Sequence, residues 1–492
     1  MSLTTALNNA QAIFNNSGTQ SSVVSNNIAN AGNTDYSRRQ AMLSTNMAGA
    51  QVVQIARANE PALQKAFLSS TSGDAAQQRL LSAYTSLQSA TLGGNDNEIA
   101  PATYMASLQT AMQTYASSPS STTAAQAAVN AAQSLATSLN NATTAVQGVR
   151  TDADKQIASD VDTLNGLLKQ FQTANDAVKS ATATSTSTST ALPDALDQRD
   201  SILKQISQIV GVTTVTRDNN DVALYTTGGA TLFETIPRSV TFTPTTAYTA
   251  GTTGNNVYID GVALPAGQGA STTAQGSLQA ALQVRDDIAP TYQKQLDEIA
   301  RGLVTTFAET NPNDSTDQAP GLFTWSGGTV PASGTLVTGL ASTIAVNPAL
   351  LTTSTQTGNP SLLRDGGING DQYIVNTTGA SGYSDQLDAY ITGMSTKMDF
   401  DSSAGSDTSA SIMDYASSSI GWLEGQRSTA TTAAENTSAA LSRSSTAYSN
   451  ETGVNLDEEL TLMMDIEQSY KAGTKILNAV NEMLQSVLDI AS

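Results

Sequence analysis

The run LDEELTLMMDIEQSYKAGTKILNAVNEMLQSVLDI, Leu456–Ile490, decides how the rest of the chain is read. Leu456, Met463, Ile466, Tyr470, Leu477, Val480, Leu484 and Val487 follow a seven-residue repeat, interrupted by Glu459 and Gly473. The spacing predicts one helix, a rod of ~50 Å at 1.5 Å per residue. Asn455 stands where an N-cap belongs. Asp457, Glu458 and Glu459 fall in the first turn, where carboxylates complement the helix dipole by ~0.3–1 kcal/mol each. Capping accounts for these residues without an acid/base pair.

A matching pattern opens the chain. Leu3, Leu7, Ala10, Phe14, Ser17, Ser21, Val24, Ile28 and Ala31 alternate steps of three and four, a weaker seam with two serines in it. Periodicity alone supports an intramolecular core and an oligomeric seam about equally. Asn26, Asn27, Asn30 and Asn33 are poor helix formers that bond local backbone, so the helix is expected to end among them. Tyr36, Arg38 and Arg39 would then stand free to present an aromatic contact and two multi-donor cations.

Proline maps the interior. None of the 13 lies before Pro61 or after Pro360, and none between Pro119 and Pro193, which leaves three stretches where long helices can run. In the middle one, Ile157, Val161, Leu164, Leu168, Phe171 and Val178 form a face expected to pack within its own domain. The Thr/Ser run Ala181–Ala191 reads as a connection. From about 211 to 405, Gly, Thr and Asn surround short β-favouring runs at Asp221–Thr227, Asn256–Ile259 and Thr343–Val346. The expected fold class is mostly α with β modules: coiled-coil-like terminal helices, a helical inner part and a central β-rich outer region.

Composition excludes much. With 22 basic and 42 acidic residues the net charge is −20, and no basic cluster offers a nucleic-acid footprint or a contact with an anionic membrane. There is no cysteine and no histidine, so thiolate chemistry, disulfides and the commonest general base and metal ligand are missing. No catalytic, cofactor or metal constellation is expected. Asp365–Asp371 lacks the spaced carboxylates of an EF-hand and reads as a turn. No run approaches the ~20 apolar residues of a membrane span, so no membrane insertion is expected. The first residues have neither the basic nor the apolar region of a cleavable signal peptide.

Ser25–Gln40, SNNIANAGNTDYSRRQ, resembles the signature shared by bacterial flagellar rod, hook and hook-associated axial proteins. That pattern carries Gly before the Tyr; here Asp35 stands there, a residue that tolerates the left-handed backbone better than most. Thr452–Glu459, Gln468–Ala472, Leu196–Leu203 with Ile209–Val212, and Gly276–Asp287 with Leu296–Ala300 are similar to the hook-associated members. Residues 305–405 match only faintly.

The resemblance implies a nested organisation: 1–45 with 450–492 as a terminal axial core, 46–210 with 271–315 and 406–449 as a helical inner domain, 211–270 as a β-hairpin module and 316–405 as a β-rich outer domain. It implies a structural, non-enzymatic subunit of the junction ring between hook and filament, extracellular on the flagellum and exported without a cleavable signal. The implied partners are further copies of the chain, the hook protein, the next junction protein and a cytoplasmic export chaperone at the C-terminal helix. The implied assembly interface comprises Leu3, Leu7, Phe14, Val24, Ile28, Ala29, Asn30, Thr34, Tyr36, Arg38 and Gln40 at one end. At the other it comprises Leu456, Met463, Ile466, Tyr470, Leu477, Val480, Leu484 and Val487. A hook or rod protein is the nearest alternative. A secreted adhesin is a more distant one, since repeats and a signal would accompany it.

Overall fold

The computed structural model of the chain describes residues 3–46, 49–186, 188–352 and 357–491; the outermost residues of the terminal segments, 1–2 and 492, lie outside it. Helix α1, Leu3–Ala29, is followed by an antiparallel hairpin of β1, Arg39–Asn46, and β2, Gly49–Arg57. Then come α2, Pro61–Leu92, α3, Pro101–Ser117, α4, Thr122–Thr184, and α5, Ala191–Ile209. Proline opens α2 and α3, where a missing N–H is harmless, and Gly93 ends α2 with φ +82°, a conformation that glycine adopts freely. Ser121 caps α4 by accepting from the Ala124 N–H at 3.2 Å.

Helix α4 is the spine. Its 63 residues span ~95 Å and serve two separate cores. Its first half buries Val129, Leu135, Leu139 and Val146 in the larger one. Its second half buries Ile157, Val161, Leu164, Leu168 and Phe171 in the smaller, the face expected from the sequence.

The smaller core is closed by α5 and two little sheets. The first orders β3, Val212–Thr216, β4, Val222–Thr226, and β5, Thr231–Phe233, with β4 central. The second joins β6, Val240–Thr241, β7, Tyr258–Ile259, and β8, Val262–Ala263. Phe171 meets Phe233 edge to face at 5.2 Å. The chain re-enters the larger core through α6, Ser277–Gln283, a π turn at Val284–Ile288, and α7, Ala289–Thr306. Gly276 has φ +92°, and any side chain there would collide with the Ile209 backbone.

The next stretch differs from the expected outer β domain. It holds β9, Glu309–Asn311, β10, Asp314–Ala319, β11, Phe323–Thr324, α8, Leu340–Thr343, β12, Ala345–Val346, α9, Leu362–Asp365, α10, Asp385–Ser395, and β13, Met398–Asp399. Between 316 and 405 the strands are mostly two residues long and the backbone is largely turns and short helices. Leu322, Phe323, Leu340, Leu363, Leu387 and Tyr390 belong to the same core as α3, α4 and α7, so this segment wraps the helices instead of forming a separate β layer. Buried carboxylates organise the wrapping: Glu309 accepts the Ile368 and Asn369 N–H groups at 2.9 Å each. Asp297 accepts from Gly339 N–H at 2.8 Å and Ala341 N–H at 3.0 Å. Asp365–Asp371 is a turn, with positive φ at Gly366, Gly367 and Gly370.

After β14, Ser409–Ala410, the long helix α11, Ile412–Thr452, runs along α2, with Phe67 and Tyr448 stacked at 5.8 Å. A short break at Gly453–Asn455 leads to α12, Leu456–Ala491, which returns along α1. Among the described residues no helix is long and apolar enough to cross a membrane, and no group of three or more His, Cys, Asp or Glu is placed to hold a metal.

Candidate assembly interface

Helices α1 and α12 run antiparallel. Phe14 meets Tyr470 edge to face at 5.0 Å, Gly473 faces Ile13 and Phe14, and further up α1 the Ser21 hydroxyl lies 3.7 Å from the Met463 sulfur. The buried residues of α1 include Ala10, Ser17 and Val24, and those of α12 include Glu459, Ile466, Gly473 and Val480, each set at intervals of seven. The two positions that interrupt the apolar repeat, Glu459 and Gly473, therefore lie on the contact line itself. Gly473 lets α1 come close: a methyl group there would meet Ile13 at 3.0 Å and Phe14 at 3.4 Å.

The larger apolar residues flank that line. Of the expected interface on α12, Ile466 and Val480 are buried and Met463 is half-buried, while Leu456, Tyr470, Leu477, Leu484 and Val487 are exposed, Leu477 at 38% and Tyr470 at 52%. Leu462 and Met483, on the opposite flank, are exposed as well. On α1, Val24 is buried, Leu3, Phe14 and Ile28 are half-buried, and Leu7 is exposed. A single partner helix covers the middle of a wide apolar face and leaves both margins open.

Where α1 ends, the second sequence motif forms a latch. Asn27, fully buried, accepts from the Tyr36 hydroxyl at 2.8 Å and the Arg39 N–H at 3.1 Å, and its amide donates to the Arg39 carbonyl at 2.9 Å. Tyr36 and Arg39 are thus buried within the chain, not free, with the Arg39 guanidinium 4.6 Å from the Tyr36 ring centre. Burial pushes the Tyr36 phenol up to about 12. The reason they are held lies in α5. Asp197 accepts from Arg39 at 3.1 Å and from Arg57 Nε at 2.7 Å, and Asp200 accepts from Arg57 at 2.6 Å. Burial pushes the Asp197 carboxyl up, opposed by Arg57 and Arg39.

Asp35 joins the same latch with an ordinary negative φ. Its N–H donates to the Asn33 side chain, and its carboxylate accepts from Ser201 at 3.0 Å and Lys204 at 3.3 Å on α5. Arg38 ties in the other end of the chain: its N–H donates to the Thr452 carbonyl at 2.7 Å and its guanidinium to Glu458 at 2.8 Å. Ala29, Thr34 and Gln40 are exposed, and Asn30 caps the helix end by bonding the Asn26 carbonyl. Glu459 is buried beside this junction, its Oε2 without a partner among the described residues, and burial raises its pKa against the influence of Asn27 and Arg38. Arg57 and Asp197 are latch positions that motif reading did not single out, and Asn27 was read only as a residue that ends the helix. Asp197 lies inside Leu196–Leu203, but its partners are 140 residues and more away.

The family model described as the flagellar hook-associated protein FlgK helical domain matches residues 87–321, and the flagellar basal body rod FlgEFG protein C-terminal model matches residues 446–490. The chain belongs to the flagellar hook-associated protein family. No curated protein matches it. Among solved structures it is similar to the flagellar hook junction protein FlgK from Burkholderia pseudomallei, with 19% identity and a TM-score of 0.41, over 53% of this chain and 46% of that one. The chain thus spans less than half the length of that relative. Within the hook-associated family's helical match fall α3 to α7 and with them Asp197 and Asp200; the C-terminal match holds Thr452, Glu458 and most of α12.

Proposed function

We propose that this chain is a non-enzymatic subunit of the bacterial flagellum that forms the ring joining hook to filament. The observation that carries the reading is the face of α12, of which α1 covers only the central line. Leu456, Tyr470, Leu477 and Leu484 on one side and Leu462 and Met483 on the other form apolar margins too large to leave in water. Copies arranged around a common axis cover one another's margins, and a heterologous contact of this kind forms a ring when its rotation closes.

In this reading the terminal segments 1–45 and 450–492 form the axial core, and 46–210, 271–315 and 406–449 the inner domain, with 211–270 and 316–405 outside. The partners are further copies, the hook protein below and the next junction protein above. Before export, a cytoplasmic chaperone takes the exposed face of α12 as a helix in a groove, with Met463, Met464 and Met483 supplying adaptable contacts. Immunogold labelling of isolated flagella tests the location: label confined to the hook–filament boundary is expected, and label along the rod or the whole hook would favour a rod or hook subunit. Chaperone titration against the full chain and a truncation ending at Asn450 tests the export step, which fails if the truncation binds as tightly.

A further inference from the structure

A cleft of about 310 Å3 opens between β2, the start of α2, α5 and β3. Its walls differ in charge from the rest of the molecule. Arg57, Lys65 and Arg199 line it against one carboxylate, Asp200, in a chain whose net charge is −20. Lys65 makes no hydrogen bond or ion pair with any described residue and is exposed, whereas Arg57 is committed to Asp197 and Asp200, and Arg199 is buried and donates to the Asn175 side chain and the Asn220 carbonyl. Ile55, Leu68 and Leu203 supply a buried apolar floor.

Two strand edges border the same space. Among the described residues strand β2 pairs only with β1, and β3 is the outer strand of its sheet; Gln54 and Ala56 of the first and Thr214 and Thr216 of the second line the cleft. An unpaired edge offers backbone donors and acceptors to an extended chain, and alternate side chains of that chain then point to opposite faces. An apolar floor beneath the exposed Lys65 ammonium selects the alternation.

We propose that this cleft docks an extended segment of a partner protein in which carboxylate side chains alternate with apolar ones. The segment adds its backbone to the edge of β2 or β3, sets its apolar side chains on Ile55, Leu68 and Leu203, and places a carboxylate at Lys65. This goes beyond the ring reading and does not depend on it, since neither terminal helix lines the cleft.

The test uses the full chain and a capped Glu-Val-Glu-Val-Glu-Val peptide, with a Lys-Val-Lys-Val-Lys-Val peptide as control. Calorimetry should show saturable one-to-one binding of the acidic peptide alone, weakened at least tenfold in Lys65→Glu, a change at an exposed residue with no partner to lose. Hydrogen exchange should show amides of 54–57 or 212–216 gaining protection on binding. Equal binding of the basic peptide, indifference to Lys65→Glu, or no gain of protection at either edge would each overturn the proposal. Displacement by succinate at equal concentration would do so too, since the cleft would then be a site for small anions.

Discussion

Replacing Asn27 with Ala should open the latch while leaving both cores folded. The side chain is fully buried and makes three hydrogen bonds, to the Tyr36 hydroxyl and to both backbone groups of Arg39. Each buried partner left unsatisfied costs about 1–3 kcal/mol. Alanine returns ~0.6 kcal/mol through its better helix propensity, and water entering the vacated space satisfies part of what is lost. The net local cost is then about 2–4 kcal/mol, a ~30- to 1,000-fold fall in protection at 1.4 kcal/mol per tenfold. Native-state hydrogen exchange of the Arg39 amide reads this directly. Asn26→Ala is the control, because that side chain is exposed and makes none of these bonds. A fall of less than threefold at Arg39, or an equal fall in the control, would show that Asn27 does not hold the latch.

Further outcomes follow from positions on the helix pair and in the core. Leu477→Asp should leave the stability of the single chain nearly unchanged, the residue being 38% exposed, yet prevent filament attachment; Val480→Asp, at a position 3% exposed, should cost several kcal/mol in the single chain itself. Attached filaments with Leu477→Asp would rule out that margin as an interface. Gly473→Leu should separate α1 from α12 by crowding Ile13 and Phe14, at about 1–3 kcal/mol, lowering the melting of the helix pair but not of the α4 cores in a circular-dichroism scan. Burial raises the Asp297 carboxyl to about 6, so the folded state holds its proton more tightly than an unfolded chain at ~3.9. Its stability contribution is complete below pH ~4 and lost as pH rises through ~6, up to ~3 kcal/mol. Asp297→Asn should therefore gain on the wild type by urea unfolding between pH 4 and 7, and a constant difference would refute the assignment.

The long helices were legible because they rest on local rules: proline placement, a seven-residue repeat, and asparagines that end α1 where they stand. The line of contact between α1 and α12 was not. Counting large apolar residues favours Leu456, Tyr470 and Leu477, whereas close packing of one helix on another also selects small ones, and Ala10, Ser17 and Gly473 are buried on that line beside Val24, Ile466 and Val480. Tyr36 and Arg39 looked free because the carboxylates that hold Arg39, Asp194 and Asp197, lie far along the chain and are brought to it only by the fold. The hairpin at 39–57 escaped notice for want of an Asn-Gly or similar turn signal between strands of mixed composition. In 316–405, the β-favouring run Thr343–Val346 suggested strands, but Leu340, Leu363, Leu387 and Tyr390 are buried in the core they share with α3, α4 and α7.

The pairing of α1 with α12 also sets an order of events. Roughly 430 residues separate Ala29 from Leu456, which at ~5–20 residues per second leaves α1 about 20–90 s of synthesis before its partner exists. Its 27 residues contain no charge, and serine, threonine and asparagine space its apolar positions. An unpaired α1 is therefore a poor nucleus for premature association. The chain can be made, and kept waiting, with its two ends apart.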